Sequence, residues 1–120
     1  MKKQTKSSLT RKLDKETSRI IRSYGSCVWC KKEEYDKLQC AHIFSRTFRN
    51  TRWDLKNLLP LCQSCHFYGH RNPISFTEMV MCHLGEYEYN ALKIKHNSIK
   101  RWTIPEMEEL LKTLKGIQCE

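Results

Sequence analysis

Cysteines recur in two short pairs, Cys27-Val28-Trp29-Cys30 and Cys62-Gln63-Ser64-Cys65, which are separated by 31 residues. Each Cys-x-x-Cys pair closes a tight turn that aims both sulfur atoms at one point, and four thiolates complete a tetrahedral shell around zinc. With no open coordination position, such an ion is structural and contributes directly to folding. A redox pair or a coincidence are the alternatives, although one redox pair leaves the second unexplained. We expect one structural Zn²⁺ per chain, held by all four cysteines.

The length of 120 residues suits one domain but not two well-buried cores. No stretch approaches the roughly 18–20 apolar residues that cross a bilayer, and the first eight residues lack the apolar core of a signal peptide. These features predict a cytoplasmic protein. Disulfides are rare in that compartment, which favours a metal site for the paired cysteines. Of the other three, Cys40 and Cys82 are expected to be small buried side chains, and Cys119 to be exposed.

The charge of the chain predicts a polyanionic partner. Lys and Arg number 22 against 13 Asp and Glu, which gives a net charge of +9. Eight of these basic residues lie in residues 1–22 beside only two acidic ones, so a basic arm or helix is expected there, with Lys12 and Arg19 among its nucleic-acid contacts. A charged surface that only keeps the protein soluble is the alternative.

In the first half of the chain, apolar residues at helical spacing predict a helix over residues 10–23 with Thr10 as its N-cap. The apolar content of residues 38–44 predicts a strand, and together with residues 27–37 it suggests a two-stranded hairpin or knuckle. Residues 45–56 are polar and basic, which is typical of a loop.

The sequence of the second half of the chain predicts several helices. A short helix is predicted from the second cysteine pair to just before Pro73. Ser75 and Glu78 have the spacing of a capping box for a helix that ends at Gly85. Further helices are predicted over residues 86–97 and from Thr103 to Gly116.

Three histidines are candidates for chemistry. His42 ends the predicted strand, His66 follows Cys65 directly, and His70 lies four residues later. On a helix, His66 and His70 share one face and can hold a metal ion together. Alternatively, His66 only forms a hydrogen bond near the zinc and His70 is solvated.

The order of these elements, a cysteine knuckle, a strand ending in His42, a loop, Asn57, and Cys65-His66 opening a helix, resembles the zinc-bearing branch of the HNH endonucleases. The closest resemblance is to the phage NinG-like HNH recombination proteins, and it covers about residues 27–76. It implies an α+β fold: a zinc-stabilised ββα-metal core, treble-clef-like, with flanking helices. The implied organisation is a basic arm or helix at residues 1–24, the zinc-bound core at 25–75, and packing helices at 76–120, within one domain.

The resemblance also implies roles for individual residues. His42 is the general base that takes a proton from the attacking water, which a neutral imidazole can do at cellular pH. Asn57 ties the loop together so that the base is oriented. His66 binds a catalytic Mg²⁺ or Mn²⁺ ion at the scissile phosphate. His70 is a second ligand or a phosphate contact.

The sequence departs from the family at the metal ligands. Many HNH enzymes carry an acidic residue or His directly before the base, where this chain has Ala41. NinG-like proteins often carry an acidic residue three places before the base, where this chain has Gln39, whose amide oxygen is a weaker ligand. Asp54 or Asp36 can substitute only if the fold brings either one close. An Asp at position 41 is expected to restore the common ligand.

The resemblance favours a metal-dependent endonuclease that hydrolyses DNA, double-stranded or branched, in phage recombination or processing. A homodimer would let each chain cut one strand. Arg46, Arg49 and Arg52 in the loop are candidate phosphate clamps, and Trp53 a candidate anchor that packs the loop. The main alternative is an inactive zinc-stabilised module that binds DNA. A zinc protein that docks another protein is a third hypothesis, but it leaves His42, Asn57 and His66 unexplained.

Overall fold

The computed structural model describes residues 3–33 and 37–117. The chain forms six helices, one 3-10 turn and two strands within these ranges. They are α1 Lys6–Arg22, β1 Gln39–His42, α2 Arg49–Arg52, the 3-10 turn Leu55–Asn57, β2 Leu58–Leu61, α3 Gln63–Arg71, α4 Pro73–Leu84, α5 Glu86–Asn97 and α6 Ile104–Lys115. The α+β class is therefore confirmed. None of the described helices is long and apolar enough to cross a membrane.

The first helix starts earlier than predicted. Thr5 is its N-cap, because the Thr5 side chain accepts a hydrogen bond from the backbone N–H of Ser8 at 3.0 Å. Thr10, the predicted cap, lies inside the helix and donates its hydroxyl to the carbonyl of Lys6 at 2.8 Å. The apolar stripe accordingly begins one turn earlier, at the fully buried Leu9.

The two strands pair across a long loop. β1 and β2 are antiparallel, with Gln39 opposite Leu61 and His42 opposite Leu58. Of the predicted hairpin or knuckle over residues 27–44, the hairpin is wrong for β1, which pairs with β2 instead. The described residues around the first cysteine pair form a tight turn, flanked by an isolated bridge between Ser26 and Glu33. All four residues of β2 are buried, which explains why no polar alternation marks it as a strand in the sequence.

The helices of the second half agree with the prediction except at one cap. α3 starts after Cys62 and ends before Pro73, and α5 has the predicted bounds. α4 begins at Pro73, so Ser75 lies inside it and the predicted capping box there is wrong. A capping box does exist at α6, where Thr103 and Glu106 satisfy each other's backbone N–H groups.

The core has two parts. The first cluster joins α1, Trp53 and α6, and its buried members are Leu9, Leu13, Ile20, Trp53, Met107, Leu111 and Leu114. The second cluster surrounds the cysteine pairs, and its buried members are Cys27, Leu38, Ala41, Leu59, Leu61, Cys62 and Val80. The basic segment is thus no free arm, because α1 packs its apolar face against α6.

Candidate metal centre and active site

The four paired cysteines meet at one point. The sulfur atoms of Cys27, Cys30, Cys62 and Cys65 all lie within 4.8 Å of one another. Four sulfurs bound to zinc at about 2.3 Å stand about 3.8 Å apart at the corners of a tetrahedron. The Cys30 and Cys62 sulfurs are 3.8 Å apart. The cluster therefore has the donor set and the spacing that structural zinc requires.

Local backbone geometry prepares the first pair. Lys31 has a φ of 68°, which lets the chain turn back so that its N–H bonds the carbonyl of Cys27 at 2.9 Å. Burial would raise the pKa of the Cys27 thiol, but backbone N–H groups, led by that of Cys30, lower it to about 7. The N–H of Val28 bonds the carbonyl of Pro60 at 3.0 Å, which holds this turn against β2.

Helix α3 needs a glycine to lie against this turn. A Cβ atom at Gly69 would stand 2.8 Å from the ring of Phe76 and 3.2 Å from that of Trp29. The close approach lets α3, which begins at the second cysteine pair, pack directly on the first pair's aromatic residue. His66 and His70 are thereby fixed relative to the metal cluster.

Asn57 holds the loop between the strands. It is fully buried, and its Oδ1 accepts the N–H of Phe44 at 2.8 Å. Its Nδ2 donates to the carbonyls of Phe44 at 3.1 Å and Thr51 at 3.0 Å. One side chain thus joins Phe44, two residues after His42, to Thr51 in the middle of the loop.

Replacing Asn57 by Ala is expected to lower the free energy of unfolding by about 3 kcal/mol, because each buried group left without its partner costs ~1–3 kcal/mol. Urea denaturation with zinc bound would measure the loss. Asn57→Asp should rescue little, since a carboxylate accepts the N–H of Phe44 but cannot donate to two carbonyls. A variant within about 1 kcal/mol of the parent, the net value of one hydrogen bond, would show that Asn57 does not hold the loop in this way.

His42 faces a cavity of about 370 Å³ between α1 and β1. Its ring is half-buried, and burial lowers the pKa of His42. A hydrogen bond with the backbone of Arg52 opposes that shift, and the charge of Arg46 adds to it. The imidazole therefore stays neutral down to a lower pH than usual. In that form one ring nitrogen can accept a proton.

The cavity contains an acidic residue that the sequence analysis did not single out. Asp14 accepts two hydrogen bonds from Arg52, at 3.0 and 2.7 Å, and one from the indole N–H of Trp53 at 2.8 Å. Burial would raise the pKa of Asp14, but these bonds and the nearby arginine charges hold it below its usual value. The available signal was an acidic residue beside the apolar stripe of an otherwise basic helix. Trp53 is 3% exposed, so its predicted role as an anchor is confirmed.

The other two histidines lie together on α3. The His66 and His70 rings are 4.8 Å apart between centroids. His66 Nδ1 is 2.6 Å from Oε1 of Gln39. Because an amide oxygen only accepts, Nδ1 carries the proton, and the neutral ring keeps its lone pair on Nε2. Gln39 also lines the cavity of His42, so this residue of β1 adjoins both groups.

Asp54, considered as a substitute ligand, has other partners. Asp54 bonds Nζ of Lys95 at 2.6 Å and caps the 3-10 turn, and Asp36 is outside the described residues. Ala41 is 1% exposed, so an Asp there would bury a carboxylate in the second cluster. Across the described ranges, no His, Asp or Glu joins His66 and His70 in a group of three possible ligands.

Two of the five predicted nucleic-acid contacts, Arg19 and Arg52, are only partly exposed. The Arg52 side chain is 11% exposed and bonds Asp14. Arg19 bonds Glu16 at 2.6 Å and the carbonyls of Leu114 and Ile117 near the end of α6. These two arginines therefore hold the fold together.

The other three predicted contacts are exposed: Lys12, Arg46 and Arg49. Lys12 bonds only the side chain of Gln4 at 2.7 Å, and Arg49 bonds the hydroxyl of Thr10 at 3.2 Å, both at the surface. Such contacts are easily exchanged for a ligand.

Cysteines outside the cluster differ from expectation in one case. Cys40 is partly buried at the wall of the His42 cavity, and burial raises the pKa of its thiol to about 12. Cys82 is exposed, so the prediction that it is buried is wrong: on α4 the buried position is Val80, two residues earlier. Cys119 lies outside the described residues.

The metal centre and the candidate active site are built on adjoining elements. His42 ends β1, Cys62 follows β2 directly, and Cys65 and His66 lie on α3. Comparisons of the chain with protein-family models, with curated proteins and with solved structures found no match.

Proposed function

We propose that this protein is a zinc-stabilised, metal-dependent endonuclease of the HNH type that hydrolyses phosphodiester bonds in DNA. The observation that carries the proposal is the position of Gln39. Its amide oxygen bonds His66, and the same residue lines the cavity of His42. The candidate base and the candidate ion ligand His66 therefore both adjoin β1, beside a loop that Asn57 holds in place.

His42 acts as the general base in this proposal. Its neutral ring takes a proton from water as the water oxygen forms a bond to phosphorus. The bond from phosphorus to the leaving sugar oxygen breaks, and that oxygen takes up a proton from solvent. The lowered pKa of His42 keeps the ring unprotonated at cellular pH.

His66 and His70 are the proposed protein ligands of a divalent ion. Gln39 accepts the Nδ1 proton of His66, which directs Nε2 outward as a ligand atom. A bound ion would neutralise the charge that develops on the leaving oxygen. Mg²⁺ prefers oxygen ligands, whereas imidazole nitrogens suit transition-metal ions. The nitrogen pair therefore favours Mn²⁺, or a later transition metal, over Mg²⁺.

A DNA-binding module without activity is the second candidate. It is favoured by the shortage of ligands: Ala41 stands where an acidic residue or His is common, and the described residues offer no third His or carboxylate beside His66 and His70. The zinc cluster and the exposed arginines serve either function.

The two candidates differ in one assay. The purified zinc-loaded protein is incubated with plasmid and with branched DNA in Mn²⁺, Mg²⁺ or chelator. Nicking that needs a divalent ion and is faster in Mn²⁺ than in Mg²⁺ is expected. If the protein binds DNA but does not cleave it with any ion, the inactive DNA-binding module is the correct candidate.

Gln39→Glu is expected to raise the affinity for the divalent ion and the cleavage rate together. The substitution keeps an oxygen acceptor for His66, adds a carboxylate ligand, and falls on an exposed residue. The ion concentration for half-maximal nicking should fall by about tenfold, which corresponds to ~1.4 kcal/mol. Glu78→Gln, at an exposed residue of α4, tests for a general effect of acidic charge. An unchanged or higher metal requirement in Gln39→Glu would contradict the ligand assignment.

A further inference from the structure

The cavity of His42 has a second wall that comes from the first helix. Asp14, Ser18 and Arg22 follow one another at every fourth residue of α1 and line it together. The opposite wall is formed by β1, and Arg46 from the following loop completes the lining. The segment that resembles the HNH family begins after α1, so the resemblance assigns no role to this wall.

The charges around the cavity leave an excess of positive sign. Asp14 is the one acidic side chain in the described lining, and Arg52 neutralises it through two hydrogen bonds from a nearly buried guanidinium. Arg46 is only 4.0 Å from the same carboxylate and is 66% exposed. Arg22 is exposed and donates Nε to the carbonyl of Ser18 at 3.3 Å. Both guanidinium groups can therefore reach a ligand in the cavity.

Two guanidinium groups and a hydroxyl on one cavity suit a phosphate better than an uncharged ligand. Arginine binds phosphate oxygens through pairs of parallel N–H donors. His42 lines the same cavity, so a phosphate bound there lies close to the candidate base.

We propose that the cavity between α1 and β1 binds a backbone phosphate of the DNA strand, through Arg22 and Arg46, next to the phosphate that is cut. The proposal rests on the proposed function, whose site it extends onto the first helix. It makes α1 part of the substrate-binding surface and Arg22 a residue that positions the strand beside His42.

Arg22→Gln is the substitution that tests the site, with Lys112→Gln on the exposed side of α6 as the charge-matched control. Loss of one phosphate contact should weaken duplex binding about tenfold and lower the log-log salt slope by about 0.9. KM should rise by a similar factor with little change in kcat. Arg22→Lys should recover part of the loss, because it keeps the charge but not the paired donors. The control should change each quantity far less.

Inorganic phosphate provides a readout that does not depend on cleavage. Titration of phosphate into the zinc-loaded protein should shift the ring resonances of His42 and leave those of the exposed His83 unchanged. Arg22→Gln should abolish the shift. If the protein does not cut DNA but shows this Arg22-dependent shift, the phosphate site stands and the nuclease proposal fails. If it cuts DNA while Arg22→Gln behaves like Lys112→Gln and phosphate leaves His42 unshifted, the phosphate site is refuted alone.

Discussion

Replacing Cys62 by Ser is expected to release the zinc ion and to abolish the cooperative unfolding transition. Cys62 lies in the second cluster, 3.8 Å from the sulfur of Cys30, and it is also the residue from which α3 begins. Structural zinc contributes about 10–16 kcal/mol in small domains, as much as the ~5–15 kcal/mol by which a whole domain is stable. The chain is therefore expected to lose its native core without the ion. Zinc analysis and thermal denaturation followed by circular dichroism measure both effects.

The matched control for this prediction is Cys82→Ser, because Cys82 is exposed and outside the four-cysteine group. It should keep one zinc per chain and melt like the parent. A Cys62→Ser variant that retains zinc and the parental melting temperature would refute the structural metal site.

Replacing His42 by Ala is expected to slow DNA cleavage by at least ~10²-fold, the lower end of what a positioned general base contributes. Zinc content and duplex affinity should stay close to those of the parent, because the base acts in the transition state. Single-turnover nicking and equilibrium binding separate the two effects. The exposed His83, changed to Ala, is the control. Cleavage by His42→Ala at the parental rate would remove His42 from the mechanism.

Two further measurements distinguish His42 from the proposed ion ligand. A high Mn²⁺ concentration should partly restore DNA cleavage by His66→Ala, which has lost an ion ligand. It should not restore cleavage by His42→Ala. The parental rate should rise with pH and level off with a midpoint below 6.5, the ordinary pKa of His, because burial lowers the pKa of His42 and its neutral form is the active one. A midpoint above 6.5 would argue against this assignment.

Local signals in the sequence were enough to predict much of the fold. The cysteine spacing predicted the four-sulfur cluster, and proline, glycine and capping residues predicted the ends of α3, α5 and α6. These features depend on neighbours a few residues apart, which the sequence displays directly. The cap of α1 was missed because Thr5 and Thr10 are chemically equivalent candidates, and burial of Leu9 against α6 decides between them.

Contacts between distant segments could not be predicted from the sequence. The pairing of β1 with β2 crosses the loop of residues 43–57, and the bonds from Arg52 to Asp14 join residues 38 positions apart. Nothing local distinguishes Arg52 from Arg46, although one is nearly buried and the other mostly exposed. The link from Gln39 to His66 is of the same kind, so the sequence could name Gln39 as a weak ligand but not as its hydrogen-bond partner.

The packing of α1 on α6 has a consequence for the nascent chain. Arg19 bonds the carbonyl of Leu114, 95 residues further on. At a synthesis rate of about 5–20 residues per second, the partner follows roughly 5–20 s after the helix has formed. Both cysteine pairs emerge well before then, so the metal centre can close co-translationally while the apolar face of α1 still waits, exposed, for α6. This interval is when the growing polypeptide is most open to aggregation and to capture by chaperones.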